Sequence, residues 1–373
     1  MPTALTVQTL SEPSAFAALG PEWTELLEAS DSDGFFLTWE WLFTWWKHLA
    51  GGRQLFILTV RSGEELVAIA PFAIRPATLD RVPPLSCIEL LGSGTAGSDY
   101  LDVIVRRGRE REVARALAEH LARDTRMLTL ARVRSSSSSA QSLAVHLGAL
   151  GWSVSETRSE TCPVVRREGP DWSSYLQSLG AEHRYAFRRK VKRLTQRHRV
   201  SLDAARSEEE RREAMRLLIA LHQARWRERG KSEAFSSDAL IAFHDEVSAL
   251  ALRRGWLRLF VLRLDGRPAA ALYGFRYGDV FYFYQSGFDP ALSKDSVGLV
   301  TMGLSIESAF EEGVAEFDLL HGDEAYKFHW AQGARELSRI ELYPPGTRGL
   351  LYRGTVGLTR TARRIARGLL AQQ

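Results

Sequence analysis

The sequence predicts an α/β fold of two tandem domains, each with a mixed central sheet flanked by helices. Three observations support this prediction. Segments with helical spacing and segments with strand alternation follow one another in the order β-α-α-β-β-β-α-β-α-β between residues 200 and 343. The first half of the chain has the same order without repeating the sequence. The length of 373 residues exceeds the roughly 250–300 residues at which a single core stops growing.

The first half of the chain begins with a short strand and two helices, followed by a hairpin around Ser62-Gly63. The glycine-rich run from Gly92 to Gly97 interrupts the third strand region. In chain order the predicted elements are a strand at Thr6–Leu10, helices at Ser14–Glu28 and Trp39–Leu49, strands at Leu55–Arg61, Leu66–Ile74 and Ile88–Val105, a helix at Glu110–Arg123, a strand at Met127–Val133, a helix at Ala140–Gly151 and a strand at Trp152–Thr157.

The second half begins with an alternating strand at Val200–Ala204. Two short turns, Asp265-Gly266 and Gly278-Asp279, have the composition of β-hairpin turns and join three strands. The predicted elements that follow Ala204 are helices at Glu208–Arg229 and Ser237–Arg254, strands at Leu257–Leu264, Pro268–Tyr277 and Val280–Phe288, a helix at Ser296–Glu312, a strand at Glu316–Leu320, a helix at Glu324–Gln332 and a strand at Leu337–Tyr343. These boundaries predict a first domain over residues 1–165, a second over 166–345 with a basic linker helix at 175–199, and a basic amphipathic tail over 346–373.

The composition is that of a soluble globular protein, with 45% hydrophobic and 25% charged residues and a net charge of +4. Cys87 and Cys162 have no metal-ligand or redox spacing, which indicates a reducing compartment. Residues 1–10 lack the features of a signal peptide, and no apolar run approaches the roughly 18 residues of a membrane span. We therefore expect a cytoplasmic protein without a metal site.

Two segments are strongly basic. No acid occurs from His183 to Leu202, and the charged residues there are Arg184, Arg188, Arg189, Lys190, Lys192, Arg193, Arg197 and Arg199. The tail has one apolar face formed by Leu358, Ala362, Ile365 and Leu369, with Arg360, Arg363, Arg364 and Arg367 elsewhere. Basic helices of this kind can bind the phosphates of a nucleotide, of RNA or of an anionic membrane surface. The same composition is equally typical of a helix that is simply exposed to solvent.

The stretch from Phe317 to Trp330 is the most informative part of the chain. A short apolar strand breaks at His321-Gly322, and a helix with acids in its first turn follows. Open α/β sheets place ligands where strand ends face helix starts. The residues that this break brings to the strand end are His321, Asp323, Glu324, Tyr326, Lys327 and His329.

The element order resembles the GNAT acyltransferase fold, and its duplication resembles the Fem-type and CelD-like branch of that superfamily. The motifs that carry the resemblance are Trp39-Glu40-Trp41 with Trp45-Trp46, His222-Gln-Ala-Arg225-Trp226, Ser286-Gly287-Phe288-Asp289 and Phe317-Asp318…Gly322…Tyr326-Lys327. The resemblance implies an acyl-coenzyme A donor. A GNAT enzyme holds the donor pyrophosphate at the N-terminus of its third helix. Lys294, Ser296, Val297 and Gly298 occupy that position here, without the full glycine-rich pattern.

The resemblance also implies roles for the remaining candidate residues. The backbone of Gln285, Ser286 and Gly287 would meet the thioester carbonyl at a break between the fourth and fifth strands. His321 is the candidate base, Asp323 would orient it or the amine, and Tyr326 or Lys327 would protonate the leaving thiolate. His222, Arg225, Trp226 and Tyr284 are predicted to contact the acceptor.

The leading hypothesis is an N-acyltransferase that moves an acyl group from acyl-coenzyme A to a primary amine of a lipid or envelope precursor, with a sphingoid-type base as one option. The basic tail predicts peripheral binding to the inner face of an anionic membrane. Two alternatives stay open. One is a Fem-type transferase that uses aminoacyl-tRNA on a peptidoglycan-type precursor, and the other is a non-catalytic GNAT scaffold for exopolysaccharide or cellulose biosynthesis.

Overall fold

The computed structural model describes residues 4–77, 85–136, 138–169, 171–227 and 234–356. The chain divides into two compact units. Unit 1 comprises residues 1–159 and 336–373, and unit 2 comprises Glu160–Arg335. The predicted division into consecutive segments differs from this one, because the end of the last strand belongs to unit 1.

Unit 1 contains a sheet in the order β1-β2-β3-β4-β6-β13, with β5 paired to β3. Its strands are antiparallel except for β4 and β6, which run parallel. The elements of the first 166 residues are β1 (Leu5–Leu10), α1 (Pro13–Ala18), α2 (Gly20–Glu28), α3 (Trp39–Leu49), β2 (Gln54–Ser62), β3 (Glu65–Arg75), β4 (Cys87–Leu90), β5 (Ile104–Val105), α4 (Glu110–Leu121), β6 (Met127–Arg134), α5 (Ser139–Ala149) and β7 (Ser153–Arg166).

Unit 2 contains a sheet in the order β7-β12-β11-β10-β9-β8, in which residues 160–166 of β7 take part. Only β11 and β12 run parallel in this sheet. The elements from residue 172 onward are α6 (Trp172–Ser178), α7 (Ala181–Arg197), β8 (Val200–Ala204), α8 (Glu208–Arg227), α9 (Asp238–Arg253), β9 (Leu257–Leu264), β10 (Arg267–Tyr277), β11 (Val280–Phe288), α10 (Val297–Glu311), β12 (Glu316–Asp318), α11 (Ala325–Phe328) and β13 (Gly333–Tyr343).

The predicted element order is confirmed in both halves. The last strand of the second half, β13, pairs with β6 in unit 1, where Leu337 to Leu342 lie opposite Arg134 to Leu128. The end of β7, the last strand of the first half, pairs with β12 in unit 2. The last strand of each half is therefore hydrogen-bonded into the sheet of the other half, which a division of the chain by sequence position does not reveal.

The core of unit 2 shows why α10 carries a glycine at residue 303. A Cβ on Gly303 would lie 2.5 Å from the Cζ of Phe187 and 2.9 Å from a ring carbon of Trp330. These two rings meet edge to face, with centroids 5.3 Å apart. The hydroxyl of Tyr175 donates a hydrogen bond to the carbonyl oxygen of Trp330 at 2.6 Å. Both rings are therefore held in fixed positions against α10.

Two predicted elements are shorter than the sequence pattern suggests. The strand predicted to run to Leu320 ends at Asp318, because Leu320 has φ +54° and turns the chain out of the strand conformation. The helix predicted over Glu324–Gln332 is the four-residue α11, with Glu324 at its N-cap rather than inside its first turn. The third strand region of the first half also splits into β4 and β5, with Gly92, Gly94 and Gly97 between them at positive φ.

The predicted tail from residue 346 begins as part of unit 1. Residues 347–356 are helical, and Val356 packs with Cys87, Met127 and Tyr343. The apolar and arginine positions that define the predicted amphipathic tail, from Leu358 to Leu369, lie outside the described residues. Within the described ranges, no helix combines the length and the apolar character needed to cross a membrane.

Candidate active site

The edge of β11 opens where β12 ends. β11 pairs with β12 only from Val280 to Tyr282, and none of the described strands pairs with that edge beyond this point. The cause lies in β12, because the Asp318 carboxylate accepts a hydrogen bond from the Leu320 N–H at 2.8 Å and fixes the turn. Arg335 holds the same carboxylate from its other oxygen at 3.0 Å. The two strands therefore separate, as the GNAT resemblance implied.

The exposed edge carries the predicted residues Gln285, Ser286 and Gly287. The Ser286 N–H donates to the side-chain oxygen of Gln285 at 3.0 Å. The Ser286 carbonyl accepts from Nδ1 of His222 at 3.0 Å, so that nitrogen carries the hydrogen. A Cβ on Gly287 would lie 2.7 Å from the carbonyl carbon of Leu221, which explains the glycine. His222 thus holds this edge from α8, and its contact with the acceptor stays a prediction.

A cavity of about 280 Å³ lies beside this edge, just below the roughly 300–1,000 Å³ that is usual for small-molecule sites. We call it the main cavity. Its lining residues are Lys190, Arg225, Ala270, Ala271, Leu272, Ser286, Gly287, Phe288, Ser293, Ser296, Val297, Gly298, Leu299, Thr301, Met302, Tyr326 and Trp330.

The main cavity brings together part of the predicted site. The predicted residues that line it are Arg225, Ser286, Gly287, Ser296, Val297, Gly298 and Tyr326. The predicted residues outside its lining are His222, Trp226, Tyr284, Gln285, Lys294, His321, Asp323 and Lys327. Sequence reasoning did not assign Lys190, Phe288 or Trp330 to the site. The basic run on α7 was a signal for Lys190, Phe288 belongs to the motif Ser286-Gly287-Phe288-Asp289, and Trp330 ends the stretch that begins at Phe317.

The N-terminus of α10 forms one wall of the main cavity. Ser296 is the N-cap and adopts a left-handed conformation with φ 58° and ψ 34°, and its side chain makes no capping bond. The first N–H groups of a helix have no partner within the helix, so those of Val297 and Gly298 suit an anion. Gly298 is close to Phe288, whose Cδ1 would lie 3.1 Å from an added Cβ. Lys294 is exposed on the preceding turn.

The basic helix α7 approaches the same end of α10. Arg193 and Arg197 each lie 3.4 Å from the carboxylate of Asp295, directly before Ser296. Lys190, one turn earlier on α7, lines the main cavity itself. The positive charge of α7 is therefore partly paired with Asp295 and partly directed to the cavity.

Tyr326 and Arg225 supply the polar side chains of the opposite wall. Burial raises the pKa of the Tyr326 phenol, with a smaller rise from Glu324 and an opposing effect of Arg225. The phenol is therefore protonated at neutral pH, and its raised pKa makes it a weaker acid than an exposed tyrosine. The guanidinium carbon of Arg225 lies 5.1 Å from the centre of the Phe288 ring and 5.8 Å from that of Trp226.

Of the strand-end cluster predicted from the sequence, Tyr326 lines the main cavity, whereas His321, Asp323, Glu324, Lys327 and His329 do not. Lys327 is buried, and its ammonium group donates to the carbonyl oxygen of His321 at 2.6 Å and pairs with Glu324 at 3.0 Å. Lys327 therefore fastens the loop between β12 and α11. His321 is half-buried and Asp323 is exposed.

Tyr284 belongs to a different group of side chains. Its hydroxyl lies 3.2 Å from Nε2 of His244 on α9, and the rings of Phe243 and Tyr273 surround that histidine. Burial lowers the pKa of His244 to about 3. Burial also lowers the pKa of His222, an effect that the Ser286 carbonyl opposes. Both imidazoles are neutral at neutral pH, and both contribute to packing between the sheet and its helices.

Within the described part of the chain, no group of three or more His, Cys, Asp or Glu side chains has the arrangement of a metal site. The groups that line the main cavity include a helix N-terminus, an open strand edge, a phenol and two cationic side chains.

Comparison with known proteins agrees with the predicted fold. Residues 181–328 match the family model described as acetyltransferase (GNAT) domain. The crystal structure of FemX has a TM-score of 0.63 to this chain at 11% identity, and the match covers 93% of this chain and 99% of that chain. No curated protein matches the sequence.

Two further structures share the fold over most of both chains. L-PGS from Bacillus licheniformis has a TM-score of 0.52 at 12% identity, with 93% of this chain and 96% of that chain covered. The C-terminal domain of a proposed lysylphosphatidylglycerol synthetase from Agrobacterium fabrum has a TM-score of 0.53 at 11% identity, with 92% and 96% covered. At these identities the likeness is one of fold.

Proposed function

We propose that this chain, an acyltransferase whose acetyltransferase (GNAT) domain covers residues 181–328, moves an acyl group from acyl-coenzyme A to a primary amine of a lipid or envelope precursor. One observation carries the proposal. A single cavity in unit 2 is lined by the N-terminus of α10, the open edge of β11 and the phenol of Tyr326. These are the groups that binding a pyrophosphate, polarising a thioester and protonating a thiolate require.

The donor would bind with its pyrophosphate at Val297 and Gly298 and with Lys190 beside it. The thioester carbonyl would then reach the Ser286 N–H, taking the place of the Gln285 side-chain oxygen that this group now contacts. The left-handed turn at Ser296 supports this assignment, because it leads into the first N–H groups of α10, which have no partner within the helix, beside the cavity.

The reaction would proceed by attack of the neutral amine nitrogen on the thioester carbon. The C–N bond forms, the Ser286 N–H stabilises the oxyanion, and the C–S bond then breaks as the Tyr326 proton passes to the leaving sulfur. The amine must also lose a proton. His321 is our candidate base, since histidine is the side chain best suited to proton transfer near neutral pH. It would act from outside the cavity lining.

The acceptor assignment is supported by two kinds of observation. The fold resembles that of L-PGS and of a proposed lysylphosphatidylglycerol synthetase, whose name refers to a lipid product. The sequence beyond residue 357 has the apolar and arginine pattern of a helix that binds an anionic membrane surface. Both support a lipid or envelope precursor rather than a small hydrophilic amine.

The donor can be tested by thermal unfolding in the presence of coenzyme A, acetyl-coenzyme A and palmitoyl-coenzyme A. A ligand at 100 times its Kd stabilises the native state by about 2.7 kcal/mol. Lys190→Glu should remove this stabilisation, because it places a carboxylate beside the pyrophosphate. Lys192→Glu is the matched control, since Lys192 is exposed on the same helix and lies outside the main cavity.

The second candidate function is a Fem-type transferase that uses aminoacyl-tRNA. The observations that favour it are the similarity to FemX over 93% of the chain and the exposed basic side chains of α7. No stabilisation by any coenzyme A compound, together with tRNA binding that weakens steeply as salt rises, would select this alternative.

A further inference from the structure

A second, smaller cavity adjoins the main cavity in unit 2. Its volume is about 130 Å³, and we call it the side cavity. Lys190, Leu299 and Trp330 line both cavities, so the two share a wall. The walls that belong to the side cavity alone come from the end of the α6–α7 connection, from the inner face of α7 and from His329.

The chemistry of these walls is apolar. Leu179, Ala186, Phe187, Leu299 and Trp330 form the interior of the side cavity. Two exposed histidines, His183 and His329, stand at its rim with ring centroids 4.9 Å apart. A hydrocarbon chain needs no polar partner, so it matches these apolar walls better than a polar group does.

The side cavity is also preformed. Phe187 and Trp330 are buried, and both rings pack against the place that a Cβ on Gly303 would occupy. Lys190 can line both cavities because its methylene stem suits an apolar wall while its ammonium group reaches polar surroundings. A chain that occupies the side cavity therefore contacts mainly apolar walls.

We infer that the side cavity is a subsite for a linear hydrocarbon chain, which belongs to a substrate whose reactive group lies in the main cavity. This inference rests on the proposed function and narrows its substrate class to compounds that carry an alkyl or acyl chain. The chain can come from the acyl donor or from the amine acceptor, and the two sources are separable by experiment.

The test measures dissociation constants by isothermal titration calorimetry in two series. The donor series is coenzyme A, butyryl-, octanoyl- and palmitoyl-coenzyme A. The acceptor series is butylamine, octylamine and dodecylamine below their micelle concentrations. Affinity should rise by up to about fourfold per methylene until the chain fills the side cavity, and then level off, in the series that supplies the chain.

Two variants change the side cavity in opposite directions. Ala186→Phe fills it and should flatten the dependence on chain length while leaving the affinity for free coenzyme A unchanged. Leu179→Ala enlarges it and should move the levelling point to longer chains. Ala181→Phe is the matched control, since Ala181 is exposed on α7 and lines neither cavity.

The outcomes separate this inference from the proposed function. If Ala186→Phe and Ala181→Phe give the same dependence on chain length, or if neither series shows one, the subsite does not exist. If Ala186→Phe weakens free coenzyme A as much as palmitoyl-coenzyme A, the side cavity binds the nucleotide and the inference is overturned. If the affinity of the amines depends on chain length but no coenzyme A compound binds, the subsite is supported and acyl-coenzyme A is refuted as the donor.

Discussion

Gly287→Ala is the substitution whose effect follows most directly from the structure. An added Cβ would lie 2.7 Å from the carbonyl carbon of Leu221 and 2.8 Å from the Cα of His222. Both atoms belong to the α8 backbone, which cannot move aside as a flexible side chain would. Overpacking of this kind costs about 1–3 kcal/mol, so β11 must shift away from α8 at the edge where the thioester would bind.

Differential scanning calorimetry would measure this cost. About 1 kcal/mol shifts Tm by about 2–4 °C in a domain of this size, so we expect the transition of unit 2 to fall by about 2–12 °C. Gly333→Ala is the control, because its Cβ would meet only the Arg166 side chain at 3.9 Å. Equal Tm values for the Gly287 and Gly333 variants would refute the argument that close approach to α8 requires glycine.

Three further predictions concern other parts of the molecule. Tyr326→Phe should lower turnover by about 10²-fold or more with little change in Tm. Tyr185→Phe, at an exposed position on α7, should leave turnover unchanged. A wild-type rate in Tyr326→Phe would exclude this phenol as the acid. His244 has a folded pKa of about 3 against an ordinary 6.5, so the unfolded chain binds more protons between these values and the free energy of unfolding falls as pH is lowered through them. Urea unfolding at pH 7, 6 and 5 gives the change in the free energy of unfolding per pH unit, which His244→Phe should reduce by up to about 1.4 kcal/mol per pH unit. An unchanged pH dependence in this variant would contradict a lowered pKa for His244. The full-length chain should sediment with anionic liposomes at low salt and not with neutral ones. Truncation after Val356 should abolish this sedimentation while keeping the helix at 347–356 on unit 1. If the full-length chain does not sediment with anionic liposomes, the membrane argument is lost.

The order of elements could be predicted from the sequence because each element follows local rules. Hairpin turns such as Asp265-Gly266 and Gly278-Asp279 depend on neighbouring residues only. The extent of α11 could not be predicted in this way. The helical pattern of the sequence continues to Gln332, but the helix has only four residues. Lys327 in this helix is buried and donates a hydrogen bond to the His321 carbonyl in the preceding loop, a contact that the pattern does not show.

The candidate site was predicted in part for the same reason. Ser296, Val297 and Gly298 are recognisable because a helix start has a local signature. Arg225 and Tyr326 came from motifs of the resemblance, and the structure brings both to the main cavity. Placement of the other candidates depends on which face of an element meets which neighbour, and that information is not local.

The sequence by itself determined the α/β class, the duplicated element order and the basic character of α7. These follow from periodicity, turn composition and charge, which act between residues close in the chain. Tertiary structure alone decided that the last strand of each half pairs with the sheet of the other half. It also decided that His222 and Lys327 hydrogen-bond to backbone carbonyls and do not line the main cavity. The residues that line the cavity without having been assigned to it include Lys190, Phe288 and Trp330. Strand pairing and burial are contacts between distant residues, so they are fixed only when the whole chain has folded.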